Sequence, residues 1–292
     1  MPLIFLFFTT FSSLIFLSNA SEEMKVSLGK NWNFAPSVET ISSDDIKFFN
    51  SSHTKELLNS SAGSWISRGS GQESLISLRS PVLTGSGACG SFLILEDSLP
   101  IRPAGFCNVN NLFEVSSNLA SRIEVLKGPS SARFGGNALH GAINFKTLNI
   151  DEKNYLKTEV NNDESFKSSF QYQEDSSWTL GLSLNKDKGF REATGFDQQK
   201  LAFKAFSEVD DWEAQTFINL TNLNQETAGY INSYVTSSRL SNLNPEAYRD
   251  AKSLRLNSLL SKNKGDFSLQ LRPYARHSKM RFIQHYLPGK PI

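Results

Sequence analysis

The sequence predicts an α+β domain at residues 41–148, followed at 149–292 by antiparallel strands of a transmembrane β-barrel. Residues 41–148 mix short strand-like and helix-like runs with glycine turns, whereas the later region alternates apolar and polar residues in segments of about ten. In addition, the chain has 22 Phe although only 39% of its residues are hydrophobic. Abundant aromatic residues in a polar chain are typical of strands with one apolar face.

The first 20 residues are expected to be a cleaved signal peptide. Residues 2–17 are almost continuously apolar, and the small residues Ser18 and Ala20 precede a polar segment. No Lys or Arg precedes the apolar run, so only the amino terminus supplies the positive charge that signal peptides usually carry. A membrane anchor is the alternative, but the run is barely long enough to span a bilayer. Residues 21–40 are expected to be a flexible N-terminal segment.

The α+β domain is expected to contain short helices and strands. Leu112, Val115 and Leu119 have helical spacing, and Asn110 could cap that helix. The other expected elements are a turn capped by Ser43 or Asp44, a helix at 53–58, strands at 76–79, 92–95, 122–127 and 141–147, and a helical turn that Pro129 begins and Gly135 ends. In strand 122–127, Ile123 and Val125 should share one face and Glu124 and Leu126 the other.

The region after Asn149 has the alternation of barrel strands. Segments at 166–172, 178–184, 212–220, 254–260 and 267–271 place apolar residues at most alternate positions, interrupted for example by Ser168, with Asn, Asp, Lys and Gly turns between them. We expect the apolar face to contact lipid and the polar face to line the lumen. Charged lumen residues such as Asp211, Glu213 and Arg255 are expected to be solvated. A soluble β-sandwich also alternates and is the alternative.

Composition and motifs argue against several functions. The net charge of +1, from 30 Lys and Arg against 29 Asp and Glu, offers no basic surface for nucleic acid. The glycine-rich stretch 85–90 lacks the Lys-Ser/Thr ending of a phosphate loop, and the four histidines are scattered along the chain. We therefore expect no catalytic residues, no cofactor and no metal site, and we do not expect an enzyme.

Cys89 and Cys107 are the two cysteines of the chain. In an exported protein such a pair suggests a disulfide. Two unrelated thiols or half of a metal site are the alternatives, although a structural zinc site needs four ligands and no His lies near either cysteine.

The segment 122–147 is the most specific stretch of the sequence. It reads Arg-Ile-Glu-Val-Leu-Lys-Gly-Pro, continues as Ser-Ser-Ala-Arg-Phe-Gly-Gly, and ends in Gly-Ala-Ile-Asn-Phe-Lys-Thr. It resembles the closing segment of the plug domain of TonB-dependent receptors. The plug-motif residues that fit are Glu124, Gly128, Pro129, Gly135, Gly141 and Asn144. His140 departs from the pattern, because the family usually has Gly there.

A second stretch resembles the front of the same plug domain. Residues 64–69 read Ser-Trp-Ile-Ser-Arg-Gly and are similar to a Val-x-Ile-x-Arg-Gly strand of the family, which makes Arg68 a further motif residue. Residues 96–100 are similar to the family's Val-Asp-Gly-(Ile/Val)-Pro turn, with Ser98 in place of the usual Gly.

The resemblance implies a plug inside a 22-stranded barrel, in contact with the outer-membrane lipid of a Gram-negative bacterium. It implies uptake of a small-molecule or metal-chelate ligand such as a ferric siderophore, haem or cobalamin, driven by TonB with ExbB and ExbD. Loops 83–90 and 101–108 would face the ligand, and a Cys89–Cys107 disulfide would tie them together. The candidate ligand contacts are Leu83, Thr84, Ser86, Arg102, Phe106 and Asn108, and the candidate TonB box, which would pair with TonB, contains Met24, Val26 and Leu28.

The barrel is expected to be incomplete. After Asn149 about 140 residues remain, enough for about seven strands with their connections. Open edge strands would leave backbone groups unpaired in lipid. We therefore expect a fragment of a receptor, or a wall that another chain completes. An exported plug-like module that binds a ligand or a partner without transport is the alternative function.

Overall fold

The computed structural model describes residues 37–69, 71–81, 92–102, 111–149, 153–175, 177–228, 238 and 240–283. They form two parts, an α+β domain up to residue 149 and a wall of antiparallel strands from residue 153 onward. Within these ranges, no helix has the length and apolar character needed to cross a membrane.

The α+β domain is built on a five-stranded sheet with the order β1-β6-β7-β4-β5. The strands of the domain are β1 (Ser37–Ile41), β2 (Ser64–Arg68), β3 (Ser74–Leu78), β4 (Phe92–Glu96), β5 (Leu99–Pro100), β6 (Arg122–Lys127) and β7 (Gly141–Lys146), of which β2 and β3 form a separate hairpin. β4 and β7 are parallel, and the other pairs of the five-stranded sheet are antiparallel. The predicted alternation of β6 is confirmed, because Ile123 and Val125 lie in the main core and Leu126 packs with Ala142 on the opposite face.

In the described part of this domain, three short α-helices accompany the sheet: α1 (Ser43–Phe49), α2 (Thr54–Leu58) and α3 (Ser131–Phe134). The predicted cap of α1 at Ser43 or Asp44 is wrong by one residue. The Ser42 hydroxyl accepts from the Asp45 N–H at 3.2 Å, and the Asp45 carboxylate accepts from the Ser42 N–H at 3.1 Å. This reciprocal capping box satisfies two donors at once, which a cap at Ser43 would not do. Gly135 ends α3 as predicted, with φ 93°.

The helix predicted over 112–119 is wrong. Two 3₁₀ helices, Asn111–Glu114 and Ser117–Leu119, occupy that segment. Its carbonyl groups are bound by side chains of the wall, because Gln198 donates to the Phe113 oxygen at 3.3 Å and Lys200 to the Val115 oxygen at 2.6 Å. Carbonyls that are satisfied in this way do not need the i→i+4 bonds of an α-helix.

The predicted end of the irregular N-terminal segment, at residue 40, is wrong. β1 already begins at Ser37 and pairs antiparallel with β6, with Ser37 opposite Lys127 and Ile41 opposite Ile123. The Lys127 ammonium also contacts the Glu39 carboxylate across the two strands. The sheet therefore includes the last four residues of the segment that was expected to be flexible.

The wall is an eight-stranded sheet with the order β14-β13-β12-β11-β10-β9-β8, and β15 also pairs with β13. Its strands are β8 (Tyr155–Val160), β9 (Phe166–Glu174), β10 (Trp178–Asp187), β11 (Phe196–Val209), β12 (Trp212–Glu226), β13 (Tyr248–Lys264), β14 (Phe267–Leu271) and β15 (Tyr274–Phe282). The strand ends that short connections join, at 174/178, 209/212 and 264/267, lie at one end of the sheet. Those that longer connections join, at 160/166, 187/196 and 226/248, lie at the other. Transmembrane barrels show the same asymmetry, with short periplasmic turns and longer extracellular loops.

The two faces of the wall differ as predicted. On the outer face Leu182, Leu184, Leu220 and Leu254 are between 37% and 46% exposed, as a lipid-facing surface requires. The inner face is polar but buried, because the α+β domain covers it. Its buried residues include Thr179, Ser183, Lys200, Asn219 and Arg255. A soluble sandwich would instead cover such a face with a second sheet. The 22-strand count stays a prediction.

Candidate functional site: the contact between the α+β domain and the wall

Glu114 is the centre of the contact between the two parts. It lies on the first 3₁₀ helix and is completely buried. Its carboxylate accepts from Arg255 at 3.1 Å, from Arg276 at 3.3 Å and from the Ser278 hydroxyl at 2.9 Å. One acid of the α+β domain therefore binds three side chains on two strands of the wall.

Glu114 lies between two like charges of the wall, those of Arg255 and Arg276. They are Cα partners on β13 and β15, and like charges directly opposite each other destabilise a strand pair. The Glu114 carboxylate lies within 3.3 Å of both guanidinium groups and neutralises part of their charge. The positive charges of these two wall residues are therefore compensated only when the α+β domain is docked.

Glu96, the last residue of β4, supplies the second carboxylate. Arg255 binds it with two parallel hydrogen bonds, from Nε at 2.8 Å and from Nη2 at 3.0 Å. Asn219 donates to Glu96 at 3.3 Å and to the Ser116 hydroxyl at 2.9 Å. Burial raises the pKa of Glu96, and the Arg255 guanidinium opposes that rise by favouring the charged form.

A second buried contact lies nearer the longer connections of the wall. Glu73 and Arg249 form an ion pair at 2.9 Å, with side chains that are 7% and 6% exposed. Beside it the Gln72 N–H donates to the Gln225 side chain at 2.6 Å. Gly71 has φ 53°, and a Cβ there would lie 2.4 Å from Gln225, so the hairpin of β2 and β3 approaches the wall through a glycine.

Two plug-motif residues are joined in the α+β domain. The Asn144 amide donates to the Glu124 carboxylate at 2.9 Å, and the Asn144 oxygen accepts from the Ser98 N–H at 2.9 Å. This network ties β6 and β7 to the turn between β4 and β5. Ser98 has φ 71°, so the position where the family usually has Gly does adopt a backbone conformation that favours glycine.

The glycines of the motif and Arg68 also have structural roles. Gly128 has φ 120° where β6 ends before Pro129. Gly141 has φ 141°, and a Cβ there would lie 2.1 Å from the Leu126 oxygen. The Arg68 Nε donates to the Gly71 oxygen at 2.8 Å, and its guanidinium lies 3.9 Å from the Asp187 carboxylate of the wall.

Of the predicted ligand contacts, only Arg102 lies within the described residues. Arg102 is described, and its guanidinium donates to the Phe92 oxygen at 2.9 Å. Burial lowers the pKa of Arg102 from its ordinary value. Outside the described residues lie Leu83, Thr84, Ser86, Phe106 and Asn108, both cysteines, and the candidate TonB-box residues Met24, Val26 and Leu28.

Sequence reasoning missed the residues that join the two parts. Arg255 was expected to be solvated, but it is only 6% exposed and is held by two carboxylates. The available signal was a Glu within an apolar run, as in Phe-Leu-Ile-Leu-Glu ending at Glu96 and Asn-Leu-Phe-Glu-Val around Glu114. Buried acids are rare unless they are paired, so each of these two Glu residues could have indicated a basic partner elsewhere in the chain.

The contact holds the α+β domain on the wall through charged and polar groups. Its bonds are charge-assisted hydrogen bonds and ion pairs, which are strong when dry and lose strength once water enters. The parts of the chain that the structure describes contain no group of three or more His, Cys, Asp or Glu side chains placed to hold a metal ion. The arrangement therefore supports a docking role for these residues.

Comparison with known proteins agrees with this architecture. The family model described as TonB-dependent Receptor Plug Domain matches residues 31–142. The ferric yersiniabactin uptake receptor FyuA from Yersinia pestis superposes with a TM-score of 0.68 at 16% identity, over 85% of this chain and 42% of that one. The unliganded ferric citrate transporter FecA superposes with a TM-score of 0.68 at 14% identity, over 86% of this chain and 41% of that chain.

The pyoverdine outer membrane receptor FpvA from Pseudomonas aeruginosa PAO1 gives a TM-score of 0.66 at 12% identity, over 86% of this chain and 39% of that chain. The chain thus spans about two fifths of the length of these structures, with values of 42%, 41% and 39%. At such identities the likeness shows the fold, and the plug-domain match covers the motif that the sequence singled out. Residues 31–142 are therefore a TonB-dependent receptor plug domain, and the wall that follows has the fold of part of such a receptor's barrel.

Proposed function

We propose that this chain works as a TonB-dependent outer-membrane receptor, or as the N-terminal part of one, and that it takes up a ferric chelate of the siderophore class. The observation that carries the proposal is the ionic contact of Glu96 and Glu114 with Arg255 and Arg276. It fixes a plug domain on the polar inner face of a barrel-type wall. Passage along that face requires the plug to move, and the contact can break and form again.

The ligand class is supported by the named structural neighbours. They are a ferric yersiniabactin uptake receptor, a ferric citrate transporter and a pyoverdine receptor, and PiuA of Acinetobacter baumannii and PirA of Pseudomonas aeruginosa are siderophore receptors. A ferric siderophore is therefore favoured over haem and cobalamin. Within this proposal Leu83, Thr84, Ser86, Arg102, Phe106 and Asn108 contact the chelate, and a Cys89–Cys107 disulfide joins their two loops.

The partners and the location belong to the same proposal. Met24, Val26 and Leu28 would form the TonB box, and TonB would act with ExbB and ExbD. Cleavage of the signal peptide at residues 1–20 would release the mature chain for insertion into the outer membrane. We propose transport and no catalytic activity, because the named neighbours are receptors and transporters.

Growth of a deletion strain on defined iron sources tests the transport proposal. Strains lacking this gene, with and without a plasmid copy, are grown in iron-depleted medium with one ferric siderophore, ferric citrate or haem at a time, and their uptake of labelled cobalamin is measured separately. We expect the deletion strain to grow poorly on at least one ferric siderophore. The plasmid copy should restore this growth, and deletion of tonB should abolish the restored growth. Unchanged uptake of every source would contradict transport. Binding without uptake would instead support the non-transporting module.

A further inference from the structure

On β13 the outer face of the wall changes from apolar to basic within two residues, from Leu254 to Lys252. One row of Cα partners crosses the sheet as Leu182, Leu201, Leu220, Leu254 and His277. The next row toward the longer connections is Leu184, Gln199, Asn222, Lys252 and Lys279. The apolar surface therefore ends on β13 and β15 at two exposed ammonium groups.

Lys252 and Lys279 are like charges on directly opposed residues. Opposed residues on neighbouring strands have Cβ atoms about 5 Å apart, and like charges at that separation destabilise the pair. Among the described residues neither lysine contacts a carboxylate. The acid of the next row, Asp250, is paired with Arg281 at 3.3 Å. An anion from outside the chain would remove the repulsion.

The height of the two lysines places them at a membrane boundary. On β12 the outer face runs from Trp212 to Leu220, roughly 26 Å along the strand at about 3.3 Å per residue. A strand tilt of about 40° reduces this to roughly 20 Å, comparable to the apolar band of about 25 Å in such barrels. At the short-turn end of β10, its first residue Trp178 packs against Tyr172, with ring centroids 5.6 Å apart. Lys252 and Lys279 thus lie just outside the band, on the side of the longer connections.

We propose that Lys252 and Lys279 bind the phosphate group of an outer-leaflet glycolipid. The headgroup phosphate would lie between the two ammonium groups, while its acyl chains follow the leucines at 220 and 254. The apolar row directly below the lysines favours a lipid over free phosphate, because only a lipid covers both surfaces. This inference rests on the outer-membrane location given under Proposed function.

The test is lipid binding to the chain as its host makes it, purified from membranes and stripped of lipid. Native mass spectrometry in detergent measures binding of bis-phosphorylated lipid A, of dephosphorylated lipid A, and of bis-phosphorylated lipid A in competition with inorganic phosphate. The variant is K252Q/K279Q. Its matched control is K262Q/K264Q, which removes two outward lysines of β13 at the end with the short turns.

We expect one bis-phosphorylated lipid A to bind, with affinity roughly thirtyfold lower in K252Q/K279Q and nearly unchanged in K262Q/K264Q. Equal binding of the two lipid A forms would overturn the proposal, as would an unaffected K252Q/K279Q variant or displacement by inorganic phosphate alone. Cell fractionation separates the two levels of inference. A chain absent from the outer membrane contradicts the proposed function. A chain that is present there, but whose lipid binding is unchanged by K252Q/K279Q, contradicts only this site.

Discussion

Arg255 of the wall and Glu96 of the plug domain form a two-bond ion pair, with N–O distances of 2.8 and 3.0 Å and side chains only 8% and 4% exposed. The pair joins residues that are 159 positions apart in the chain. Because both groups are out of water, loss of either one leaves a buried charge without its partner. The pair therefore reports directly on whether the plug is seated.

A double-mutant cycle on this pair should give a large coupling energy. We expect E96Q and R255Q each to lower the free energy of unfolding by about 3–5 kcal/mol. The loss in the double variant should be smaller than the sum of the two single losses, by a coupling energy of at least about 1.5 kcal/mol. Urea unfolding in detergent, followed by tryptophan fluorescence, measures this. The exposed pair of Lys188 and Glu164, at 2.6 Å with side chains 64% and 70% exposed, is the control and should couple by under about 1 kcal/mol. Equal couplings would contradict a dry interface.

Glu114→Gln should loosen the plug without unfolding it. The substitution leaves Arg255 and Arg276 opposed with less negative charge between them, which we expect to cost about 3 kcal/mol or more. Limited proteolysis should then cut the plug faster, and the further change R276Q should partly reverse the effect. Glu208→Gln removes an exposed carboxylate of β11 and serves as the control. Identical cleavage rates for E114Q and E208Q would show that Glu114 does not hold the plug.

The parts of the fold that could be predicted depend on local sequence. β6, the turn at Gly135 and the alternation of the wall strands follow from neighbouring residues, and the structure confirms them. The 3₁₀ segment at 111–119 could not be predicted, because the side chains that bind its carbonyls lie 85 and more positions away. For the same reason Glu96 and Glu114 could be recognised as unusual buried acids, but their partners could not be identified.

Gly141→Ala should be the most damaging small substitution in the plug motif. Gly141 has φ 141°, and an added Cβ would lie 2.1 Å from the Leu126 backbone oxygen, so the pairing of β6 and β7 must shift. We expect a loss of several kcal/mol in the free energy of unfolding, or failure to accumulate in membranes. Gly136→Ala is the matched control in the same motif, because an added Cβ there meets no atom within 4 Å. A Gly141→Ala protein as stable as Gly136→Ala would contradict the close approach.

His53 should make the plug less stable in mild acid. It is 3% exposed, and its Nδ1 accepts from the Lys55 N–H at 3.0 Å at the start of α2, which requires a neutral ring. Burial lowers the pKa of His53 from 6.5 to about 3, and the charge of Arg68 and then that of Lys200 act in the same direction.

Between these values the unfolded chain binds a proton that the folded chain does not, so the stability present above pH 6.5 is lost as the pH falls toward 3. We expect the free energy of unfolding to be about 2 kcal/mol lower at pH 5 than at pH 7.5 from this group alone. His53→Asn keeps a capping side chain but cannot titrate, so its urea midpoint should change less over the same interval. If wild type and His53→Asn lose the same stability between pH 7.5 and 5, the acid sensitivity arises elsewhere in the chain.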